Sequence, residues 1–341
     1  MKQYDVIIIG AGIAGLECAK NLAETNLSVL IIERNKGISR KVCAEGIVTT
    51  DLKYIPKEYI NFDFQKADIN YKNKTFSFPD QDGIISSIRR EDLLNFELEK
   101  LKTFNNINFL FDSTVMEICS DNTLKLDNGE TLQYKFLVGA DGATSVVRRF
   151  LGLPVTRVWM AMQYILPKKF EGFKFYLDDK LFEMGYAWIF PNSDYTSIGC
   201  GGDMRLIKPP ILKKNLAFWL KNNNINVEGA RFESALISYD YRGYKFNDVF
   251  LTGDAAGLVS GFFGRGIIAA YLSGRQVAFD ILKIKNPNLI EEWLKKKRDQ
   301  EKYLFFVKNR FTRTLSLSIA MWLLKYKKFR DIFERKVRET I

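Results

Sequence analysis

Three glycines near the start of the chain, Gly10, Gly12 and Gly15, stand in the spacing G-x-G-x-x-G directly after the apolar run Val6–Ile9. Each position has its own physical role, namely a tight turn, a close approach of a pyrophosphate to the backbone, and close packing of a helix on a strand. The helix that follows presents free N–H groups and the positive end of its dipole to phosphate. A second apolar run ends at Glu33, 18 residues beyond Gly15, where an acidic side chain can hold a ribose hydroxyl. Strand, glycine turn, helix and acid together predict an adenine dinucleotide site. Two further acidic turns, Asp141-Gly142 and Gly253-Asp254, each close a short apolar strand. Asp141 reads equally as a plain Asp-Gly turn, and Asp254 alternatively as a helix cap. The chain contains no histidine, which excludes Ser-His-Asp and Cys-His catalysis and His-based metal sites. Its four cysteines, Cys18, Cys43, Cys119 and Cys200, are scattered without a C-x-x-C, so no metal site is expected and a reducing cytoplasm fits.

These residues need elements to hold them. With 341 residues, 47% hydrophobic and 27% charged, the composition is that of an α/β protein with room for two domains. Weak alternation over residues 61–88 predicts short antiparallel strands with a turn at Asn73-Lys74, and Leu93, Leu94, Leu98 and Leu101 share one face of a helix beginning near Arg90. Asp127-Asn128-Gly129 is a hairpin signal. Residues 155–240 read as an antiparallel sheet domain interrupted by a helix at Leu212–Asn222. Val249 to Asp254 is a buried strand leading through a glycine-rich loop, Gly257 to Gly266, into a helix from Ile267. The net charge of +11 is concentrated: residues 283–341 carry 17 Lys/Arg against 7 Asp/Glu, a net of +10. No apolar stretch reaches the roughly 18 residues of a membrane span, and no secretory leader is expected.

Gly10/Gly12/Gly15 with Glu33, Gly139-Ala-Asp141-Gly142 with Ser145 and Arg148, and Gly253-Asp254 together resemble the flavoprotein hydroxylase fold of the para-hydroxybenzoate hydroxylase group, over about residues 1–285. The resemblance implies FAD. It implies a Rossmann-like FAD-binding domain, discontinuous over 1–60, 85–150 and 245–285. An antiparallel β-sheet substrate domain (61–84 and 151–244) is inserted, and a basic helical C-terminal segment (286–341) follows. It further implies that Asp254 bonds the ribityl chain, that Asp141 supports the region between the domains, and that Arg90 lies near the cofactor. Ala14, Arg34, Cys43, Gly253, Gly264, Gly266 and Ile267 complete the expected cofactor set. A helix N-terminus after Asp254 would stabilise an anionic reduced flavin.

A narrower likeness lies in Tyr186-Ala-Trp188-Ile-Phe190-Pro191, followed eight residues later by Gly199-Cys-Gly201, with the Lys41-Val-Cys43 loop. It resembles the geranylgeranyl reductase family, which saturates isoprenoid double bonds. The resemblance implies an FAD-dependent reductase with Tyr186, Trp188, Phe190 and Pro191 against a prenyl substrate. It places Cys43 beside the flavin; the electron donor is expected to be NADPH or a ferredoxin, an acidic redox protein that the basic C-terminal segment could alternatively dock. Departures stand at Ala44-Glu45, where glycines are usual, at Gly261, commonly proline, and at Arg265. Cys43 reads either as a proton donor or as a small packed residue, with Tyr186 or a bound water as the rival donor. The same aromatic residues alternate on a strand and read alternatively as core. The remaining readings are a flavin monooxygenase of an apolar substrate, a halogenase, and a flavoprotein electron carrier. Leu304, Val307, Phe311, Leu315 and Trp322 recur at helical spacing among basic residues. They predict either a helical cap on the body or a cytoplasmic protein resting peripherally on the inner membrane face, with no nucleic acid.

Overall fold

Buried β-branched runs, glycine turns and leucine-striped helices set the elements, and the computed structural model describes residues 1–38, 41–64, 66–79, 85–262, 264–285, 288–302 and 308–340. The chain begins with β1 (Lys2–Ile9), α1 (Ile13–Leu22) and β2 (Val29–Ile32). Short strands follow: β3 (Gly46–Val48), β4 (Ile60–Phe64), β5 (Lys66–Tyr71), β6 (Lys74–Pro79) and β7 (Ile85–Ile88). Next come α2 (Arg90–Leu101), β8 (Ile107–Leu110), β9 (Val115–Ile118), β10 (Thr123–Leu126), β11 (Thr131–Gly139) and α3 (Val146–Phe150). The middle of the chain holds β12 (Val158–Leu166), β13 (Phe173–Leu177), β14 (Tyr186–Pro191), β15 (Thr196–Asp203), α4 (Pro209–Asn222) and β16 (Arg231–Ser238). The last part holds β17 (Lys245–Phe246), β18 (Val249–Leu251), α5 (Ile267–Ile281), α6 (Leu289–Glu301), α7 (Arg310–Leu323) and α8 (Lys327–Thr340). No helix among the described residues is long and apolar enough to cross a membrane.

The contacts divide the chain into two units. Unit 1 comprises Met1–Lys41, Arg90–Thr156 and Ile237–Lys295. Its sheet runs β17-β18-β11-β1-β2-β8, with β9 and β10 branching from β11. β1 is parallel to β11 and β2, and β18 and β8 extend the parallel core. A parallel sheet covered on both faces needs continuous apolar strands, which is why Val6, Ile7 and Ile8 are wholly buried. The Asp127-Asn128-Gly129 hairpin forms, with Gly129 at φ +83°. α1 and α5 cross so closely that a methyl group on Gly274 would sit 2.3 Å from the Ala14 carbonyl oxygen. The Arg275–Glu17 ion pair, at 2.7 Å, fastens the same crossing.

Unit 2 comprises Val42–Arg89, Arg157–Leu236 and Lys296–Ile341. Its larger sheet has the order β16-β12-β15-β14-β13-β5-β6, and a smaller one the order β3-β7-β4. One apolar cluster joins Ile198, Cys200, Leu212, Leu216 and Trp219, so α4 buries its leucine face on the sheet. A second cluster gathers Phe173, Trp188 and Phe190.

The observed boundaries differ from the expected ones. Residues 42–60 and 85–89 belong to unit 2 because β3 pairs with β7 in the small sheet. Residues 237–244 belong to unit 1, where Asp240 accepts from the Thr156 N–H and hydroxyl. The C-terminal helical segment is shared, with the division falling inside α6. The larger sheet is not wholly antiparallel, since β5 and β13 run parallel. These strands come from separate excursions of the chain into unit 2, and no hairpin constrains their direction. The β5–β6 turn is at Lys72-Asn73, one residue before the expected position, with Lys72 at φ +54°.

Candidate functional site

In unit 1, the glycine turn separates into packing positions and one open position. Gly10 adopts φ +107°, and a side chain there would meet the Ala140 carbonyl oxygen at 2.5 Å. A methyl group on Gly15 would sit 2.0 Å from the Gly10 carbonyl oxygen. At Gly12 a methyl group would meet nothing within 4 Å. Gly10 and Gly15 therefore hold strand and helix together, while Gly12 keeps space free at the N-terminus of α1. Ala14 is buried in the α1–α5 crossing. Glu33 accepts from the Ala11 N–H at 3.0 Å and from the Asn35 N–H at 3.1 Å, which fixes its carboxylate beside the glycine turn. Arg34 is exposed at the end of β2.

Asp141 and Asp254 meet the same region of unit 1 through the β11–β18 pairing. Asp141 Oδ2 accepts from the Val146 N–H at 2.7 Å, so the turn reading is part of its role. Its Oδ1 is buried without a protein partner among the described residues. Burial pushes the Asp141 carboxyl up, against the pull of Ser145 and backbone N–H groups. Asp254 is not the cap of α5, whose N-cap is Gly266. Its Oδ2 instead pairs with Lys41 at 2.9 Å. Arg90 is buried, donates to the Lys41 carbonyl at 3.5 Å, and keeps an Nε without a partner among the described residues. Gly253 and Gly264 occupy the left-handed region at φ +51° and +68°, and Ile267 is the first residue of α5.

Arg148 is the clamp of this region. It is 1% exposed and donates to the carbonyls of Ala255, Pro154 and Asp240 at 3.0, 2.8 and 2.6 Å. It thereby ties the Asp141 turn to the segment after β18. The open space at Gly12, the orphaned oxygen of Asp141, the fixed Glu33 and the N-terminus of α5 all suit a dinucleotide. FAD fits the donor and acceptor set present. Gly261, where proline is common in the resembling family, is explained locally: a side chain there would strike the Tyr239 ring at 2.5 Å. Arg265 lies 5.4 Å over the Trp293 ring, a cation–π contact that accounts for the departure at that position.

In unit 2, the Tyr186-to-Gly201 signature is a set of cross-strand pairs. Tyr186 faces Gly201 and Trp188 faces Gly199 in the antiparallel β14–β15 register. A methyl group on Gly199 would sit 2.7 Å from the Trp188 ring, so the G-x-G makes room for aromatic neighbours. Tyr186, Trp188 and Phe190 share one strand face, as period-2 alternation requires. Phe190 stacks on Phe173 at 3.7 Å, and Phe175 meets Tyr186 and Phe190 edge-on. Trp188, Phe190 and Pro191 are nearly fully buried and Tyr186 is half-buried, so the core reading holds for the first three. Tyr186 is the member with surface to offer.

Cys43 is half-buried, and its Sγ accepts from the Glu45 N–H at 3.3 Å. Burial, with Cys43 adding to it, pushes the Tyr186 phenol well up. Ala44, next to Cys43, packs on the same aromatic cluster as Tyr186. A polar chain that the sequence motifs did not disclose joins the Trp188 strand to the Cys43 loop. The Trp188 indole donates to Ser197 Oγ at 2.9 Å, and the Ser197 hydroxyl donates to Gln163 Oε1 at 2.9 Å. Gln163 Nε2 donates to Glu233 at 2.8 Å and to the Cys43 carbonyl at 3.3 Å. Glu45, buried and at φ +60°, accepts from Asn192 at 3.0 Å and from the Tyr195 hydroxyl. The available hint was Gln163 itself, a lone amide inside the apolar run of β12.

A family model described as pyridine nucleotide-disulphide oxidoreductase matches residues 4–175, just over half the chain. A digeranylgeranylglycerophospholipid reductase from Methanosphaerula palustris is 27% identical over 82% of this chain and 77% of its own. A geranylgeranyl bacteriochlorophyll reductase-like protein from Thermoplasma acidophilum superposes with a TM-score of 0.77. It is 20% identical and is covered over 92% of its length by 96% of this chain. A p-nitrophenol 4-monooxygenase from Pseudomonas putida superposes with a TM-score of 0.67 at 16% identity, over 99% of this chain and 97% of its own. At such identities the two solved structures show the shared fold alone.

Proposed function

The chain belongs to the pyridine nucleotide-disulphide oxidoreductase family and is an FAD-dependent oxidoreductase; we propose on that premise that it hydrogenates C=C bonds of a geranylgeranyl-type isoprenoid lipid. Bound FAD would supply the hydride. The observation that supports the reading is the aromatic strand face, on which half-buried Tyr186 stands with Trp188 and Phe190 against Phe173 and Phe175. An alkene chain offers no polar handle, so apolar and aromatic contact must bind it.

The chain's own residues divide the work. Gly12, Glu33, Asp141, Asp254 and Arg90 hold the cofactor, with Gly10, Gly15, Gly253, Gly264 and Gly266 shaping the backbone around it. Lys41 balances the Asp254 charge. Tyr186 holds the proton for the second alkene carbon at its phenolic oxygen, and Cys43 stands beside it. Trp188, Phe190 and Pro191 fix the strand that carries Tyr186, and Gln163 fixes the Cys43 loop. NADPH or a ferredoxin-type protein supplies electrons, and the substrate is met at a membrane face.

The test is anaerobic. Purified protein is reduced, a geranylgeranyl lipid is added, and flavin reoxidation and product mass are followed. Reoxidation with a mass gain of two hydrogens per double bond is expected. Absence of reoxidation with every prenyl lipid, together with oxygen-dependent hydroxylation of an aromatic compound, would sink the reductase reading in favour of a monooxygenase.

A further inference from the structure

Helix α7 is apolar on two opposite sides. Its inward side places Leu317, Met321 and Leu324 against Tyr71, Ile69, Phe76 and Leu177 of unit 2. Polar anchors fix that orientation. Arg313 is buried, pairs with Glu183, and donates to the carbonyls of Asp179 at 3.4 Å and Lys308 at 3.1 Å. The Thr314 hydroxyl donates to Asp179, and the Tyr71 hydroxyl donates to the Thr314 carbonyl at 3.5 Å. The helix therefore packs on unit 2 through a face other than the Phe311, Leu315 and Trp322 stripe expected of a cap. At 3.6 residues per turn, Phe311, Leu315, Ile319 and Trp322 lie roughly opposite that face. They are 90%, 61%, 46% and 50% exposed. Tyr326, 49% exposed, stacks edge-on against Trp322 at 5.1 Å and continues the row toward Phe329 of α8. Leu304 and Val307, expected in the same stripe, lie outside the described residues.

The charge around this row has one sign. Residues 308–330 contain no Asp or Glu, and Lys308, Arg310, Lys325, Lys327 and Lys328 are exposed beside the apolar row. We propose that the outward face of α7, with the start of α8, docks on an anionic lipid bilayer. Apolar side chains would enter the acyl boundary, the Trp322–Tyr326 pair would sit at headgroup level, and the cations would meet lipid phosphates. A second copy of the chain fits poorly, because pairing this face with itself would bring like charges together. The surface extends the proposed reading but borrows from it only the expectation of a lipid substrate.

The test uses holoprotein and vesicles free of any isoprenoid, so that its failure leaves the alkene chemistry standing. Phosphatidylcholine vesicles with and without a share of phosphatidylglycerol are sedimented with the protein. Binding to the anionic vesicles is expected to exceed binding to the neutral ones by about tenfold or more at low salt. Acyl-brominated lipid should quench tryptophan emission, and less so in Trp322→Phe. The double variant Leu315→Asp/Ile319→Asp should lose about tenfold or more of its partitioning while keeping its flavin content and melting temperature. Wild-type protein that stays in the supernatant, or a double variant that binds like wild type, overturns the proposal. So does a stable dimer that the double variant abolishes.

Discussion

Gly12 and Gly15 are three residues apart in one motif, yet the structure assigns them opposite sensitivities. At Gly15 a methyl group would sit 2.0 Å from the Gly10 carbonyl oxygen and 3.3 Å from the Ala140 Cβ, so strand and helix must separate. Overpacking against backbone costs about 3 kcal/mol, and Gly15→Ala should destabilise the apoprotein by at least that much. At Gly12, with φ −81° and nothing within 4 Å, alanine strains nothing in the folded chain. Reduced unfolded-state entropy contributes about 0.4–1 kcal/mol in its favour. Alanine is the poorer residue at a helix N-cap, by about 0.5–1 kcal/mol, so the two effects nearly cancel. Gly12→Ala apoprotein should therefore unfold within about 0.5 kcal/mol of wild type. The added methyl group occupies the space the cofactor needs, and FAD affinity should fall by about tenfold or more, equivalent to about 1.4 kcal/mol. Urea denaturation of the apoprotein and titration with FAD, followed by flavin fluorescence, read the two quantities separately. Equal destabilisation by both variants, or wild-type FAD affinity in Gly12→Ala, refutes the division of roles.

Arg148→Met should cost about 3–5 kcal/mol in urea denaturation, because two buried carbonyl oxygens and a part-buried one lose a charged donor; a loss near zero would show that water replaces the guanidinium. Burial works against the Asp240 carboxylate, but bonds from the Thr156 N–H and hydroxyl and from Arg242 hold its carboxyl below the usual range. A depressed folded-state pKa gives stability that is present above the unfolded value of about 3.9 and lost as pH falls through the folded one. Asp240→Asn should flatten the loss of stability below about pH 4, as measured by thermal melts against pH. Tyr186→Phe should retain FAD and lower turnover by about a hundredfold, with the loss in kcat and little change in KM; unchanged turnover would transfer the proton to Cys43 or water.

The cofactor half of the molecule was legible before the fold was known because its chemistry is local. Gly10, Gly12 and Gly15 act within one turn, and Glu33 ends the adjacent parallel strand, so spacing along the chain maps directly onto distance. The β10–β11 hairpin and the helices at Arg90, Leu212 and Ile267 were readable for the same reason. The unit boundaries were not, because the β3–β7 and β5–β13 pairings join segments whose association no local pattern encodes.

Residue order alone discloses a dinucleotide turn, the absence of histidine chemistry, and basic charge gathered toward the C-terminus. Packing decided that Gly12 faces open space while Gly15 cannot, and that Asp254 pairs with Lys41. It also decided that Trp188 and Phe190 are core while Tyr186 keeps surface, and that α7 has a second apolar face. The physical reason is common to all of these: residue type specifies which interactions are possible, whereas burial and partners are properties of the packed chain and are set by residues far away in sequence.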